Sequence, residues 1–80
     1  MKVEVLTLEK KILSMDAQSV IVPGKNGKFE MLNNHAPIIS ILNNGTIKVT
    51  DLNKKEHFVD ILGGSIEMFN NKITILAETE

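Results

Sequence analysis

The stretch SIEMFNNKITILA, residues 65–77, carries the clearest structural signal in the chain. On each side of its central Asn-Asn pair, apolar residues alternate with other side chains: Ile66 and Met68 before the pair, Ile73 and Ile75 after it. Alternation with a period of two places one face of a strand in a core. Asparagine tolerates the positive φ angles of a two-residue hairpin turn. The stretch therefore predicts a β-hairpin with one buried face.

The same pattern extends outward from this hairpin to most of the chain. Residues 2–8 and 46–51 also alternate, whereas residues 19–22 and 38–42 are more continuously apolar. A continuous run is typical of a strand that is buried on both faces, or of one whose second face is covered by a partner. Short runs at this spacing predict an all-β sandwich or barrel, folded as a free monomer essentially without helix.

Turn-forming residues separate these runs. Pro23-Gly24 and Asn26-Gly27 bracket one loop, Asn43-Asn44-Gly45 ends another strand, and residues 52–55 form a polar connection. Gly63-Gly64 interrupts the run after Ile61 and indicates a bulge or a corner in the sheet.

Size and composition exclude several classes of protein. The chain has 80 residues, enough for one small domain, and a net charge of -1 from nine lysines and ten acidic residues. Nucleic-acid binders usually carry a strong basic excess, which is lacking here. There is no cysteine for a disulfide or a thiolate. No apolar run resembles a signal peptide or approaches the roughly 20 residues that cross a bilayer. Any membrane association is therefore expected to come through a partner, without direct insertion.

Residues with catalytic or metal-binding chemistry do not form a recognisable motif. His35 and His57 share no ligand spacing with each other or with a carboxylate pair. His57 is expected to be a solvent-facing strand residue. For His35 we expect a ring that hydrogen-bonds the backbone of its loop, with partner contact as the alternative. Residues 24–27 lack the phosphate-loop pattern. No serine has a neighbouring histidine with an orienting acid. We predict no catalytic residue, no metal and no cofactor.

Residues 22–37, VPGKNGKFEMLNNHAP, resemble the signature of ATP synthase epsilon subunits. The Asn-His-Ala-Pro of that family stands intact at residues 34–37. The resemblance continues in order along the chain, at residues 5–11, 42–49, 58–67 and 71–78.

The resemblance implies a fold and a function. The fold would be a small flattened β-sandwich of about ten short, mostly antiparallel strands, occupying residues 1–80, with the family's C-terminal helical hairpin absent. The function would be that of a non-catalytic rotor subunit in the central stalk of an F-type ATP synthase, which couples ion translocation to ATP synthesis. Its place would be peripheral, on the cytoplasmic face of the energy-coupling membrane. Because the family places ATP binding and inhibition of hydrolysis in the hairpin, neither activity is expected.

Two partners follow from the same resemblance: the gamma subunit and the polar loops of the membrane rotor ring. His35 and Ser40 are expected to face gamma. The residues expected to face the ring are Lys25, Asn26, Gly27, Lys28, Phe29, Glu30, Asn33 and Asn34. Several of these positions depart from the family pattern. Lys28 replaces the usual acid, Glu30 replaces a glycine and Asn33 replaces a proline, while Ser14-Met15 stands where Ser-Gly is usual.

Two other classes of protein remain as alternatives. One is an unrelated small all-β module that binds a protein or an oligonucleotide. An oligonucleotide-binding module is expected to have a basic face and exposed aromatic side chains that stack on bases. The chain has only three phenylalanines and no tryptophan or tyrosine, which disfavours an oligonucleotide ligand. The other is a small enzyme, which would need a polar constellation that the sequence does not contain. The coupling ion, proton or sodium, is left open.

Overall fold

A computed structural model describes all 80 residues and contains eight β-strands and no helix, which confirms the all-β class. There is accordingly no helix long and apolar enough to cross a membrane. The strands are β1 (Lys2–Leu6), β2 (Lys11–Gly24), β3 (Gly27–Leu32), β4 (Ile38–Leu42), β5 (Gly45–Asp51), β6 (Glu56–Ile61), β7 (Gly63–Phe69) and β8 (Lys72–Glu78). They are fewer than the ten or so that the resemblance implied, because β2 continues unbroken through 14 residues.

Strand β2 joins the two layers of the sandwich. Fourteen extended residues would span about 45 Å, yet the longest extent of the molecule is 28 Å, so β2 must bend. Its register with β5 shifts between Ala17 and Ser19, and a bulge of this kind bends a strand. The part before the bulge pairs with β1. The part after it pairs with β3 and β5. One layer therefore has the order β2-β1-β8-β7-β4, and the other has the order β3-β2-β5-β6.

The space between the layers holds one continuous core. Sixteen buried apolar residues form a single cluster, and no polar or charged residue is buried. The predicted hairpin contributes opposed pairs to it, since Ile66 lies opposite Ile75 and Met68 opposite Ile73. Asn70 and Asn71 form the turn with φ angles of 51° and 59°. All pairings are antiparallel except that of β1 with β8, which is parallel.

The Gly63-Gly64 pair marks a corner of the sandwich, as predicted. Only Leu62 separates β6, in one layer, from β7, in the other. Gly64 has a φ of +155°, and a Cβ atom there would collide with the carbonyl oxygen of Leu76. No side chain fits at this position, so glycine permits the close approach of β7 to β8 where the chain changes layers.

Candidate partner-binding surfaces

The residues expected to face the ring lie along strand β3 and the turn at each of its ends. We call residues 25–34 the β3 ribbon. Strand β3 pairs only with β2, so it is an edge strand. Lys28 and Glu30 are exposed, whereas Phe29 is half-buried and packs against the core. Six residues of strand place the two turns about 17 Å apart. The predicted ring residues therefore form an extended ribbon rather than one compact cluster.

The first turn of the ribbon is a tight hairpin that is fixed to the end of β4. Gly24 pairs with Gly27, and Gly27 has a φ of +121°. The N–H of Lys25 donates to the carbonyl of Ile41 at 3.1 Å. The side-chain amide of Asn43 donates to the carbonyl of Lys25 at 3.3 Å. The hairpin is thus anchored by its backbone, which leaves its exposed side chains free for a partner.

Charged side chains of the ribbon have no ion-pair partner within the chain. The four ion pairs of the molecule involve Glu4, Lys48, Asp51 and their partners, and none involves Lys25, Lys28 or Glu30. Two lysines are therefore unpaired near the first turn. Both lysines are therefore available to pair with an anionic group on a partner.

The second turn of the ribbon leads into His35. Asn34 has a φ of 63°, in the left-handed region that asparagine tolerates. The backbone N–H of His35 donates to the carbonyl of Leu32 at 3.1 Å. The ring Nδ1 of His35 donates to the carbonyl of Ala36 at 2.7 Å, which confirms the predicted hydrogen bond between ring and backbone. The imidazole is exposed, so the edge that carries Nε2 faces solvent.

Ser40 and its neighbours on β4 face opposite ways. Ser40 is half-buried, its hydroxyl donates to the carbonyl of Ile41 at 3.4 Å, and it borders a shallow hollow formed with residues 24–29. Ile39 and Ile41 point to the other side and are 81% and 59% exposed. The structure therefore places the Ser40 side chain beside the β3 ribbon and two large apolar side chains on the outside of the sandwich.

These isoleucines belong to a larger apolar surface that the sequence did not identify as a site. We call Ile39, Ile41, Phe69 and Leu76 the outer apolar face, and each is more than half exposed. They lie on one side of the layer, because Ile41 is opposite Ser65, which in turn is opposite Leu76. Ile39 is opposite the exposed Glu67, and Phe69 follows Glu67 by two residues on the same side of β7. A cluster of exposed apolar side chains on neighbouring strands indicates an interaction surface. The sequence feature that could have indicated this surface is the continuous apolar run at residues 38–42. The sequence left open whether that strand is buried on both faces or has its second face covered by a partner. This structure leaves the second face of β4 uncovered.

His57 is not the solvent-facing residue that its polar strand suggested. Its side chain is only 27% exposed, and its Nε2 donates to Asp51 Oδ2 at 3.0 Å. The other carboxylate oxygen of Asp51 accepts the backbone N–H groups of Asn53 at 2.8 Å and Lys55 at 3.0 Å. The pair closes the turn between β5 and β6, so its role is structural. No group of three or more histidine or carboxylate side chains is placed to hold a metal ion.

The Asp51–His57 pair predicts a pH dependence of stability. The hydrogen bond from His57, followed by that from the N–H of Lys55, holds the pKa of Asp51 below its ordinary value. A carboxyl group with a lowered folded-state pKa stabilises the fold above its unfolded value of about 3.9, and this contribution is lost as the pH falls through the folded value. In thermal melts, Asp51→Asn should have a lower Tm than the unmodified chain at pH 7. At acid pH, below the lowered pKa of Asp51, the carboxyl group is protonated in the folded chain as well, and the gap should close. A gap of equal size at both pH values would show that the charge of Asp51 contributes nothing.

Comparison with known proteins agrees with this architecture. Residues 1–80 match the family model described as ATP synthase, Delta/Epsilon chain, beta-sandwich domain. The ATP synthase epsilon chain of Desulfosudis oleivorans is 38% identical over 79 residues, which cover 99% of this chain and 59% of that protein. The ATP synthase epsilon chain of Desulfitobacterium hafniense is 41% identical over 75 residues, which cover 94% of this chain and 56% of that protein. The chain thus spans a little more than half the length of these relatives.

Two solved structures share the fold at low sequence identity. One is the Euglena gracilis mitochondrial ATP synthase, OSCP/F1/c-ring in rotational state 1, with a TM-score of 0.87 at 16% identity over 96% of this chain and 49% of that chain. The other is the central stalk/c-ring of the Tetrahymena thermophila mitochondrial ATP synthase, with a TM-score of 0.81 at 16% identity over 99% of this chain and 63% of that chain. At this identity the likeness establishes the fold alone.

Proposed function

Because the chain belongs to the ATP synthase delta/epsilon family, as its β-sandwich domain, we propose that it is a non-catalytic subunit of the central stalk of an ATP synthase. In this proposal it docks on the gamma subunit with one surface and on the polar loops of the rotor ring with another. It thereby links ion translocation in the ring to ATP synthesis on other subunits. Its position is peripheral to the membrane and depends on the ring.

The observation that carries this proposal is the outer apolar face. Four large apolar side chains on β4, β7 and β8 are exposed although the core beneath them is complete. Covering apolar surface contributes about 25 cal/mol per Å². These side chains project from a hydrogen-bonded sheet, so little backbone ordering is needed on binding. Such a face suits a partner held throughout a rotary cycle, and we assign it to gamma. His35 lies in the turn that leads into β4, and Ser40 contacts gamma only where gamma reaches the ribbon side of β4.

The β3 ribbon has the properties of a polar contact with the ring. It combines two turns, an exposed edge strand and two unpaired lysines. Lys28 stands where the resembling family usually has an acid, so the sign of the charge is reversed. We infer that the ring of this enzyme presents an acidic side chain opposite Lys28. Exposed charge pairs are screened over about 10 Å at 0.1 M salt, so this contact should weaken as salt is added.

Cysteine cross-linking tests the contact with the ring. The chain has no cysteine, so Lys28→Cys introduces a single thiol. Paired with a cysteine on the polar loop of the ring, it should form a disulfide in the assembled enzyme under mild oxidation, because the Cα atoms of a disulfide lie within about 7 Å. Lys55→Cys serves as the matched control, since Lys55 is also exposed but lies in the turn between β5 and β6. Equal cross-linking from both positions, or none from residue 28, would contradict the assignment of the ribbon.

A further inference from the structure

The side chain of Asn71 connects two turns that are distant in sequence. Asn71 lies in the turn between β7 and β8, and its Oδ1 accepts the backbone N–H of Asn34 at 2.8 Å. Its Nδ2 donates to Oδ1 of Asn33 at 2.9 Å. The side-chain amide of Asn71 thus binds both residues of the second turn of the β3 ribbon. Asn34 and Asn71 are 37 residues apart in the sequence.

The hydrogen-bond partners fix the orientation of this amide. A flipped Asn71 would point its NH₂ group at the N–H of Asn34, and two donors repel. The backbone holds Asn71 as well, since the N–H of Lys2 donates to its carbonyl at 3.2 Å. Oδ1 of Asn33 also accepts from the amino group of Met1 at 3.2 Å. Asn71 is therefore held in place next to β1. We call its two side-chain hydrogen bonds to the Asn33-Asn34 turn the amide bracket.

We propose that Asn71 is the positioning residue of the Asn33-Asn34 turn, holding it in the conformation that docks on the ring. This inference rests on the proposed function, because it assigns the turn to the ring contact. Both asparagines of the turn are exposed, and Asn34 occupies the left-handed region. A turn of this kind has few internal restraints, and ordering it at the moment of docking reduces affinity. The bracket orders the turn before the partner arrives.

Two glycine substitutions in the turn between β7 and β8 separate this role from the stability of that hairpin. Asn70 and Asn71 both have positive φ, which glycine adopts without strain. Asn71→Gly removes the amide bracket and keeps the turn. Asn70→Gly is the matched control, because Asn70 is exposed and its side chain makes no hydrogen bond within the chain. The two variants should therefore melt within a few degrees of each other, and both should fold.

The first measurement is amide hydrogen exchange in the free chain, and it requires no partner. The N–H of Asn34 should exchange about tenfold faster in Asn71→Gly, because its acceptor is gone, and at the unmodified rate in Asn70→Gly. The second measurement is the affinity of each variant for the gamma–ring complex. We expect binding about three- to tenfold weaker for Asn71→Gly, the effect of one or two hydrogen bonds, and unchanged for Asn70→Gly.

The pattern of results identifies which claim fails. Faster exchange together with weaker binding, both confined to Asn71→Gly, supports the positioning role. Unchanged exchange at Asn34 would show that the bracket does not hold the turn, and would overturn the inference. Faster exchange with unchanged binding would overturn it as well, leaving the ring contact intact. An unmodified chain that does not bind the gamma–ring complex at all would overturn the proposed function itself, and the positioning role with it.

Discussion

Replacing Ile75 with alanine should lower the free energy of unfolding by about 3 kcal/mol. Ile75 has no exposed surface, lies opposite Ile66 on β7 and pairs with Val5 on β1. Removing its side chain costs the transfer energy of the lost carbons and leaves a cavity between two layers that cannot close without shifting several strands. A domain of this size has a total stability of roughly 4–12 kcal/mol. Urea unfolding followed by circular dichroism should therefore show a large fall in the midpoint.

The adjacent residue provides the control. Leu76 follows Ile75 on β8 but points outward and is 52% exposed. Leu76→Ala should change the free energy of unfolding by less than about 1 kcal/mol, because truncating a half-exposed side chain outside the core leaves no cavity. Equal losses from the two substitutions would mean that the two faces of β8 do not differ as described. That result would contradict the assignment of Ile75 to the core and of Leu76 to the outer apolar face.

The second large effect concerns binding. Ile39→Asp should weaken binding of the chain to the gamma subunit by about a hundredfold, measured by isothermal titration calorimetry at 25 °C. Burying an isoleucine side chain contributes about 1.5–3 kcal/mol, and the substitution also places a second carboxylate in the interface, directly opposite Glu67. Ile39 is 81% exposed in the free chain, so the thermal midpoint of the variant should change little. A loss of binding with an unchanged melt assigns the effect to the surface.

Phe58→Asp is the matched control for this substitution. Phe58 is also a large exposed apolar residue, 61% accessible, but it lies on β6 in the other layer. Its substitution should leave the affinity for gamma unchanged. If Phe58→Asp weakens binding as much as Ile39→Asp does, gamma does not select the outer apolar face.

Local patterns in the sequence predicted the strands and turns well, because period-two alternation and turn chemistry act over a few residues. The hairpin formed by β7 and β8 has the predicted inner face, and its two asparagines have the predicted positive φ angles. The Gly63-Gly64 corner lies where it was expected. The bend of β2 was not predicted, since it follows from its pairing with strands on both layers and not from any residue within it.

The candidate surfaces were only partly predictable, for a related reason. The resemblance located eight of the ten residues of the β3 ribbon, and the structure places these eight on one edge strand and in the turns at its ends. The exposure of Ile39 depends on whether anything covers β4, which the run at residues 38–42 does not specify. The contacts of His57 with Asp51 and of Asn71 with Asn33 and Asn34 join turns or strand ends that only the fold brings together. Such side-chain contacts leave no local signal in a single sequence.

The central claim is that this β-sandwich docks on the central stalk, and titration of the unmodified chain with gamma tests it most directly. We expect a one-to-one complex with a negative heat-capacity change on binding, the signature of apolar burial. Adding the Ile39→Asp variant to gamma beforehand, at the same concentration as the unmodified chain, should not block that complex, because the variant binds about a hundredfold more weakly. Absence of binding between the two proteins, with each shown to be folded by circular dichroism, would contradict the account. Binding whose affinity is the same for the unmodified chain and for Ile39→Asp would contradict the assignment of the outer apolar face to gamma.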